Sequence, residues 1–271
     1  CHNAEDAGLL YSFMLGFDPK DSTSIASEKY SFALENNQHA SKFEKLTIGL
    51  PKLGFQERET DTALIEIQKV LEGLGHKFVE IELPHIDASI AAYYVIASAE
   101  ASTNLSRYDG VRFGYRCEAP KNLQDLYVRT RSEGFGEEVK RRILTGTYAL
   151  SVGYFDQYYL KALKIRRLIA RDFHAAFADV DLILTPTTPS TAFELESLID
   201  NPVEMYQQDL FTVPANLAGL PAISIPCGFR NEMPIGAQFI ADAFNEDLLI
   251  SVSREFQQET DFHNRTPSNS K

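Results

Sequence analysis

Residues 46–84 read LTIGLPKLGFQERETDTALIEIQKVLEGLGHKFVEIELP, and this stretch decides the fold. Residues 46–51 are a short apolar run typical of a buried strand, and residues 78–84 alternate like a second strand. Between them, residues 60–74 carry apolar side chains at helical spacing, and Gly75 closes the predicted helix. A strand, a helix and a second strand in this order form a βαβ unit. Such a unit predicts a parallel or mixed sheet covered by helices.

The same reasoning predicts elements on either side of this unit. A helix is expected to begin at Asn3 or Ala4, and the polar residues 25–44 to form a surface loop. Further helices are predicted at residues 86–105, 123–132, 137–178 (broken near Gly146 or Gly153) and 246–260, and further strands at residues 181–189, 222–228 and 234–241. We therefore predict an α/β fold in which a mixed central sheet is covered by helices on both faces, with residues 1–271 forming part of a single domain.

Composition excludes several classes of function. The chain has 271 residues, of which 44% are hydrophobic, and its 26 Lys and Arg against 38 Asp and Glu give a net charge of -12. A whole-surface nucleic-acid binder needs clustered cations, so this balance argues against one. No apolar run approaches the roughly 20 residues of a membrane-spanning helix. Three cysteines and six scattered histidines lack metal-ligand spacing, which predicts no metal site and a reducing compartment.

A candidate amino-acid site comes from the stretch RSEGFGEEVKRRI, residues 131–143, taken together with Asp209. A zwitterionic amino acid needs a cation for its carboxylate and an anion for its ammonium, and a guanidinium and a carboxylate are suited to these tasks. Each residue also has a structural alternative. Arg141 and Arg142 can form a solvated helix face paired with Glu137 and Glu138.

Asp209 and two tyrosines have structural alternatives of their own. Asp209 can cap the segment that follows it, because Asp is a favoured N-cap residue. Tyr93 and Tyr94 lie on an apolar face of a predicted helix, where an aromatic side chain usually belongs to the core.

The sequence offers no comparable candidates for catalytic residues. No serine or cysteine lies beside a base in a recognisable motif, and Cys227 follows apolar strand residues, as expected of a core thiol.

Several motifs occur together and in a fixed order along the chain. They are DPKDSTS (18–24), AEASTNLSRYDGVRFGYR (99–116), RSEGFGEEVKRRI (131–143), LTGTYALSVGYFDQYY (144–159), LTPTTP (184–189), VPANLAGLPAISIPCG (213–228) and PIGAQFIA (234–241). In this order they resemble the amidase-signature family and, within it, the A subunits of glutamyl-tRNA(Gln) amidotransferases. The resemblance runs from about Asn3 to His263. The strand motifs occur across amidases, whereas YDGVRFGYR and EGFGEEVKRRI are much more specific to the tRNA-dependent glutaminase subunits.

The resemblance implies hydrolysis of glutamine by a Lys–Ser–Ser triad and an oxyanion-stabilising Gly/Ser-rich loop. In the family these parts precede the region that this chain matches, so we expect no catalytic residue here and a longer parent protein. By resemblance, Arg142 matches the arginine that holds the α-carboxylate of glutamine, and Asp209 matches the acid that holds its α-ammonium. Tyr93 matches a tyrosine close to the bound amide, with Tyr94 as its immediate rival.

The resemblance also implies partners and a location. The ammonia would pass to a B subunit that binds tRNA and uses ATP and Mg²⁺, and a small C subunit would brace the pair; no cofactor is expected in this chain. We expect a cytoplasmic or organellar-matrix protein with no membrane contact. Two other interpretations remain open. A stand-alone amidase would share the strand motifs without needing the Arg142 and Asp209 pair, and a non-catalytic scaffold would need no nucleophile.

Overall fold

A computed structural model describes residues 1–25, 45–52, 61–195, 197 and 202–266. The chain divides into two compact units, one formed by Cys1–Ile86 with Ile169–Lys271 and the other by Asp87–Leu168. The loop predicted at residues 25–44 lies outside the described residues except for its first position. The assignment of residues 1–271 to the C-terminal part of a single amidase domain stays a prediction.

A mixed sheet organises the first unit. Among the described residues it contains five strands in the order β2-β1-β3-β5-β4. The strands are β1 (Thr47–Pro51), β2 (Lys77–Ile81), β3 (Leu182–Pro186), β4 (Ala222–Arg230) and β5 (Met233–Ala241). β1 is parallel to both β2 and β3, whereas β5 is antiparallel to both β3 and β4. The predicted βαβ unit and the predicted mixed sheet are therefore confirmed.

Among the described residues, seven α-helices follow the predicted order with differences at their ends, and two short helices were not predicted. In chain order, the helices are α1 (Ala4–Met14), α2 (Asp61–Gly73), α3 (Ser89–Leu105), α4 (Leu123–Gly134), α5 (Glu137–Ala149), α6 (Lys161–Ala176), α7 (Pro202–Gln207), α8 (Val213–Ala218) and α9 (Glu246–Glu259). Gly75 closes the α2 region as predicted. Its φ of +97° suits a residue without a Cβ, and the His76 N–H donates to the Leu71 carbonyl at 3.1 Å, as in a Schellman motif.

Helices lie over both faces of this sheet. On one face α2 and α9 pack on the strands through fully buried Ile67, Leu71 and Phe256, which meet Leu184 and Phe239 in one apolar cluster. Burying a side chain of this size contributes about 1.5–3 kcal/mol, so this cluster is a main source of stability for the unit. The opposite face positions one of the candidate residues.

A buried glutamine holds the segment before α8 on the opposite face of the sheet. Gln238 of β5 donates from Nε2 to the Phe211 carbonyl at 2.8 Å and to the Thr185 hydroxyl at 2.9 Å. Gln238, Thr185 and Phe211 are all buried, and a buried amide needs such partners to offset its desolvation. The residues around Phe211, including Asp209, are therefore tied to the sheet.

The second unit is helical. α3 and α5 make its most extensive contact, and α5 ends at Ala149 rather than continuing to residue 178. A turn containing Gly153, whose φ is +89°, leads into a π-helix at Phe155–Leu160 and then into α6. The helix is thus broken at Gly153, one of the two predicted positions, whereas Gly146 lies inside α5.

Candidate functional site

Arg142 lies on α5, one turn after an acidic first turn that suits a helix N-terminus. Its Nε donates to Glu138 Oε1 at 3.0 Å, and the neighbouring Arg141 bonds through Nη1 to Glu138 Oε2. Glu138 therefore bridges both arginines, while Glu137 pairs with Lys140 at 2.9 Å. The Arg141 side chain is 53% exposed and that of Arg142 is 32% exposed, so the two arginines do not share one solvated face equally.

Tyr93 and Tyr94 of α3 stand beside Arg142. Their ring centroids are 4.9 Å apart in an edge-on arrangement, and the Arg142 guanidinium carbon lies 5.6 Å from the centroid of the Tyr94 ring. The Tyr93 side chain lies close enough to Arg142 to help raise the pKa of its guanidinium. Both tyrosines are only half-buried, so neither is the core residue of the structural alternative. The structure thus brings Tyr93 and Arg142, two of the three candidate residues, together.

Arg142 lies in a cluster with Arg141, Glu138, Tyr93 and Tyr94, and electrostatic interactions keep this Arg142 cluster charged. Burial alone lowers the pKa of Arg142, but the interactions with Glu138 and Tyr93 outweigh it and raise the pKa above its ordinary value. Burial raises the pKa of Glu138, and the bonds from Arg142 and Arg141 outweigh it and lower that pKa. Two cations and one anion therefore coexist at neutral pH, with one positive charge in excess. A planar guanidinium in such a place is suited to a carboxylate ligand.

Asp209 belongs to the first unit and lies between α7 and α8. It is half-buried, and its backbone carbonyl accepts hydrogen bonds from the N–H groups of Thr212 at 3.2 Å and Val213 at 3.0 Å. The N-cap residue of α8 is Thr212. Asp209 therefore does not hold the N-cap position directly before α8. The tie from Gln238 to Phe211 fixes the backbone close to this carboxylate.

Two residues next to Arg142 received no role in the sequence-based prediction of the site. Glu138 was expected only as an ion-pair partner and Tyr94 only as a rival of Tyr93. The sequence does contain a signal for Glu138, since it lies four residues before Arg142 and therefore on the same helix face. Tyr94 carries no such signal, because its contact with Arg142 joins two helices that are distant along the chain.

The structure also bears on a cysteine nucleophile, a metal site and a membrane span. Cys227 is fully buried, as expected of a core thiol. Within the described ranges, no group of three or more His, Cys, Asp or Glu side chains could hold a metal ion. None of the helices in those ranges combines the length and apolar character needed to cross a membrane.

Comparison with known proteins gives the family. The amidase family model matches residues 1–250. The A subunit of glutamyl-tRNA(Gln) amidotransferase from Hahella chejuensis is 54% identical over 270 residues, which cover 98% of this chain and 55% of the relative. Its counterpart from Coxiella burnetii (strain Dugway 5J108-111), which bears the same name, is 52% identical over 269 residues, covering 97% of this chain and 55% of that relative.

A solved structure agrees with these relatives. The crystal structure of the A subunit of glutamyl-tRNA(Gln) amidotransferase from Thermotoga maritima matches with a TM-score of 0.72 and 35% identity, covering 96% of this chain and 51% of that one. The chain therefore spans about half the length of the proteins it resembles. The predicted resemblance is confirmed, and the chain belongs to the amidase family.

Proposed function

We propose that this chain is part of the glutaminase subunit of a tRNA-dependent amidotransferase and that it supplies residues that bind glutamine. The observation that carries the proposal is the guanidinium of Arg142, which is half-buried, held by Glu138 at 3.0 Å and placed over the Tyr94 ring at 5.6 Å. The names of the relatives at 54% and 52% identity support the reaction class. The Lys–Ser–Ser triad would lie in the part of the relatives that this chain does not match.

Each candidate residue has one role in this proposal. Arg142 binds the α-carboxylate of glutamine through two parallel N–H···O bonds, which suit the planar fork of its guanidinium. Asp209 accepts hydrogen bonds from the α-ammonium, and the Tyr93 hydroxyl lies close to the side-chain amide that is hydrolysed. These contacts orient the amide carbon towards the nucleophile, and orientation of this kind lowers the activation barrier.

The proposal extends to the assembly. Ammonia released from glutamine passes to a B subunit, which binds tRNA and uses ATP and Mg²⁺ to activate the glutamate of mischarged Glu-tRNA(Gln). A C subunit braces the other two subunits. We place the assembly in the cytoplasm, or in an organellar matrix if the parent protein carries a targeting segment. The chain itself needs no cofactor in this scheme.

The test is a glutamine titration of the complete assembly with Arg142→Ala. Loss of a charge-assisted bidentate contact of about 1.5–3 kcal/mol should raise the KM for glutamine by about 10- to 100-fold. Lys140→Ala is the matched control, because it removes a cation of the same helix that pairs with Glu137 instead of Glu138 and should change KM little. A rise in KM below about threefold for Arg142→Ala would contradict the assignment.

Truncated substrates separate the two binding roles. 4-Aminobutanamide lacks the carboxylate of glutamine, and glutaramic acid (5-amino-5-oxopentanoic acid) lacks its amine. The wild type should discriminate against both, whereas Arg142→Ala should lose only the first discrimination and Asp209→Asn only the second. A wild type that hydrolyses simple amides as well as glutamine would favour a stand-alone amidase instead.

A further inference from the structure

Glu138 holds one edge of the Arg142 guanidinium. Its Oε1 accepts the Arg142 Nε–H at 3.0 Å, and its Oε2 is held by Nη1 of Arg141. Because both oxygens are engaged, the carboxylate is fixed between two side chains of the same helix. The Nε position of Arg142 is thereby fixed relative to the α5 backbone.

The flat face of the same guanidinium is constrained as well. The Tyr94 ring centroid lies 5.6 Å from the Arg142 guanidinium carbon, a cation–π distance. A group held at one edge and over one face cannot rotate freely about its last bonds. A guanidinium also has a second edge, formed by its two Nη groups, that can bind a carboxylate bidentately while the Nε edge is engaged.

Two opposite effects of Glu138 on a carboxylate ligand must be weighed. As an anion it repels the ligand and competes for the guanidinium, whereas as a hydrogen-bond acceptor it orients the guanidinium before binding. The Glu138 side chain is 45% exposed, and water and salt screen its longer-range repulsion at that exposure. Orientation is set by contact geometry and is not screened in this way, so it should dominate.

We propose that Glu138 is a positioning residue for substrate binding: it holds the Nε edge of Arg142 so that the two Nη groups face the α-carboxylate of the amino-acid substrate. This inference rests on the proposed function, in which Arg142 binds that carboxylate. Glu138 touches neither the substrate nor the reacting amide, so its effect belongs to KM rather than to kcat.

The test compares Glu138→Ala and Glu138→Gln in the complete assembly with glutamine as substrate. Glu138→Ala should raise KM about 3- to 10-fold and leave kcat within about twofold, since the unheld guanidinium must be ordered on binding. Glu138→Gln should restore KM to within about twofold of the wild type, because its amide oxygen can accept the same Nε–H bond. Lys140→Ala removes a cation of the same helix that pairs with Glu137, leaves Glu138 bonded to both arginines, and serves as the control.

A double variant tests whether Glu138 acts through Arg142. The KM of Glu138→Ala/Arg142→Ala should equal that of Arg142→Ala alone, because there is no longer a guanidinium to position. Additive effects would overturn the proposal. A lower KM in Glu138→Ala would show that competition dominates, and an unchanged KM with a lower melting temperature would show a purely structural role; either result overturns it.

Failure of the proposed function gives a different result. In that case the wild type itself would show no preference for glutamine over 4-aminobutanamide, before any Glu138 variant is compared. With that preference present, the Glu138 variants test only the positioning role. Glutamine binding measured by calorimetry gives a readout independent of turnover and should weaken in Glu138→Ala by the same factor as KM rises.

Discussion

Gly146 of α5 faces Ser98 of α3 so closely that a Cβ atom on Gly146 would stand 2.0 Å from the Ser98 carbonyl oxygen. The two helices therefore touch through backbone at this point, and neither a rotamer change nor a flexible side chain can relieve the clash. Arg142 lies one turn before this contact, on the same helix that carries Glu138. The geometry of the Arg142 cluster thus depends on a glycine one turn further along the same helix.

The first prediction concerns this contact. Gly146→Ala should force α3 and α5 apart and destabilise the protein by about 1–3 kcal/mol, the usual cost of overpacking. Gly73→Ala is the control, because Gly73 is also helical and a Cβ there meets no atom within 4 Å. That change should be neutral or stabilise by up to about 1 kcal/mol. Urea unfolding measures both, and equal midpoints for the two variants would contradict the prediction.

The second prediction concerns His76, which is buried between β1 and α9. Its Nδ1 accepts the Leu46 backbone N–H at 3.2 Å, so the proton lies on Nε2, which donates to Glu255 at 2.8 Å. His76→Ala leaves the backbone N–H without its acceptor and should destabilise the protein by about 2–4 kcal/mol.

His85 provides the matched control for this experiment. Its side chain pairs with Asp172 at 2.9 Å, but its backbone N–H also donates to Asp172 Oδ2 at 2.9 Å and survives substitution. His85→Ala should therefore lower the free energy of unfolding by much less than His76→Ala. A larger loss of stability for His85→Ala than for His76→Ala in denaturant titrations would contradict the prediction that the buried His76 contacts to Leu46 and Glu255 contribute more.

The third prediction concerns the turn between β4 and β5. Asn231 and Glu232 have φ values of 49° and 65°, which correspond to the mirror-image turn favoured by tight hairpins. Asn tolerates this conformation, whereas Glu is destabilised in it by roughly 1 kcal/mol. Glu232→Gly should raise the free energy of unfolding by about that amount. Asn231→Gly should change it less, and a destabilised Glu232→Gly would contradict the assignment of strain.

The fourth prediction is a pH dependence at Cys227. Burial raises the pKa of this thiol from an ordinary 9.0 to about 12. Between these values the unfolded chain loses the proton while the folded chain keeps it, so stability should fall as pH rises above 9. The slope of unfolding free energy against pH should be less steep in Cys227→Ala. Identical slopes for wild type and variant between pH 9 and 11 would refute the burial effect.

Alkylation provides a second measurement on the same thiol. Because only the thiolate reacts, iodoacetamide at pH 8 should label the exposed Cys1 and leave Cys227 unmodified until the protein is unfolded. Peptide mapping by mass spectrometry distinguishes the two sites. Rapid labelling of Cys227 in the folded protein would contradict its burial.

Hydrophobic periodicity made most of the first unit predictable. The runs around Ile48, Leu184 and Phe239 are buried strands because the sheet is covered on both faces, and such strands appear in a sequence as short apolar runs. The end of α2 was predictable because Gly75 adopts the positive φ that favours glycine at a helix C-terminus. The short helices α7 and α8 were not predicted. Each has six residues, too few for a periodic pattern, and the contact from Gln238 to Phe211 that holds the chain just before α8 is long-range.

The candidate site was predictable only in part. The i, i+4 spacing of Glu138 and Arg142 is a local signal, so their pairing could be expected and is observed. The contact of Arg142 with Tyr93 and Tyr94 depends on how α3 packs on α5, and no local pattern encodes it. Asp209 does not hold the N-cap position directly before α8, because Thr212, three residues later, occupies it. The binding roles of Arg142, Asp209 and Tyr93 stay predictions.

The division of the chain has a consequence for the order of folding. Thr47 donates to the Asp181 carboxylate across 134 positions, whereas Ser102 and Thr147 of the second unit bond across 45. At a synthesis rate of about 5–20 residues per second, β1 emerges on the order of 10 s before its partner β3. During that interval α3 and α5 can already pair on the ribosome, while β1 and β2 wait with an open strand edge. We expect the protein to depend most on chaperones during this interval, while the edge of β1 is unpaired.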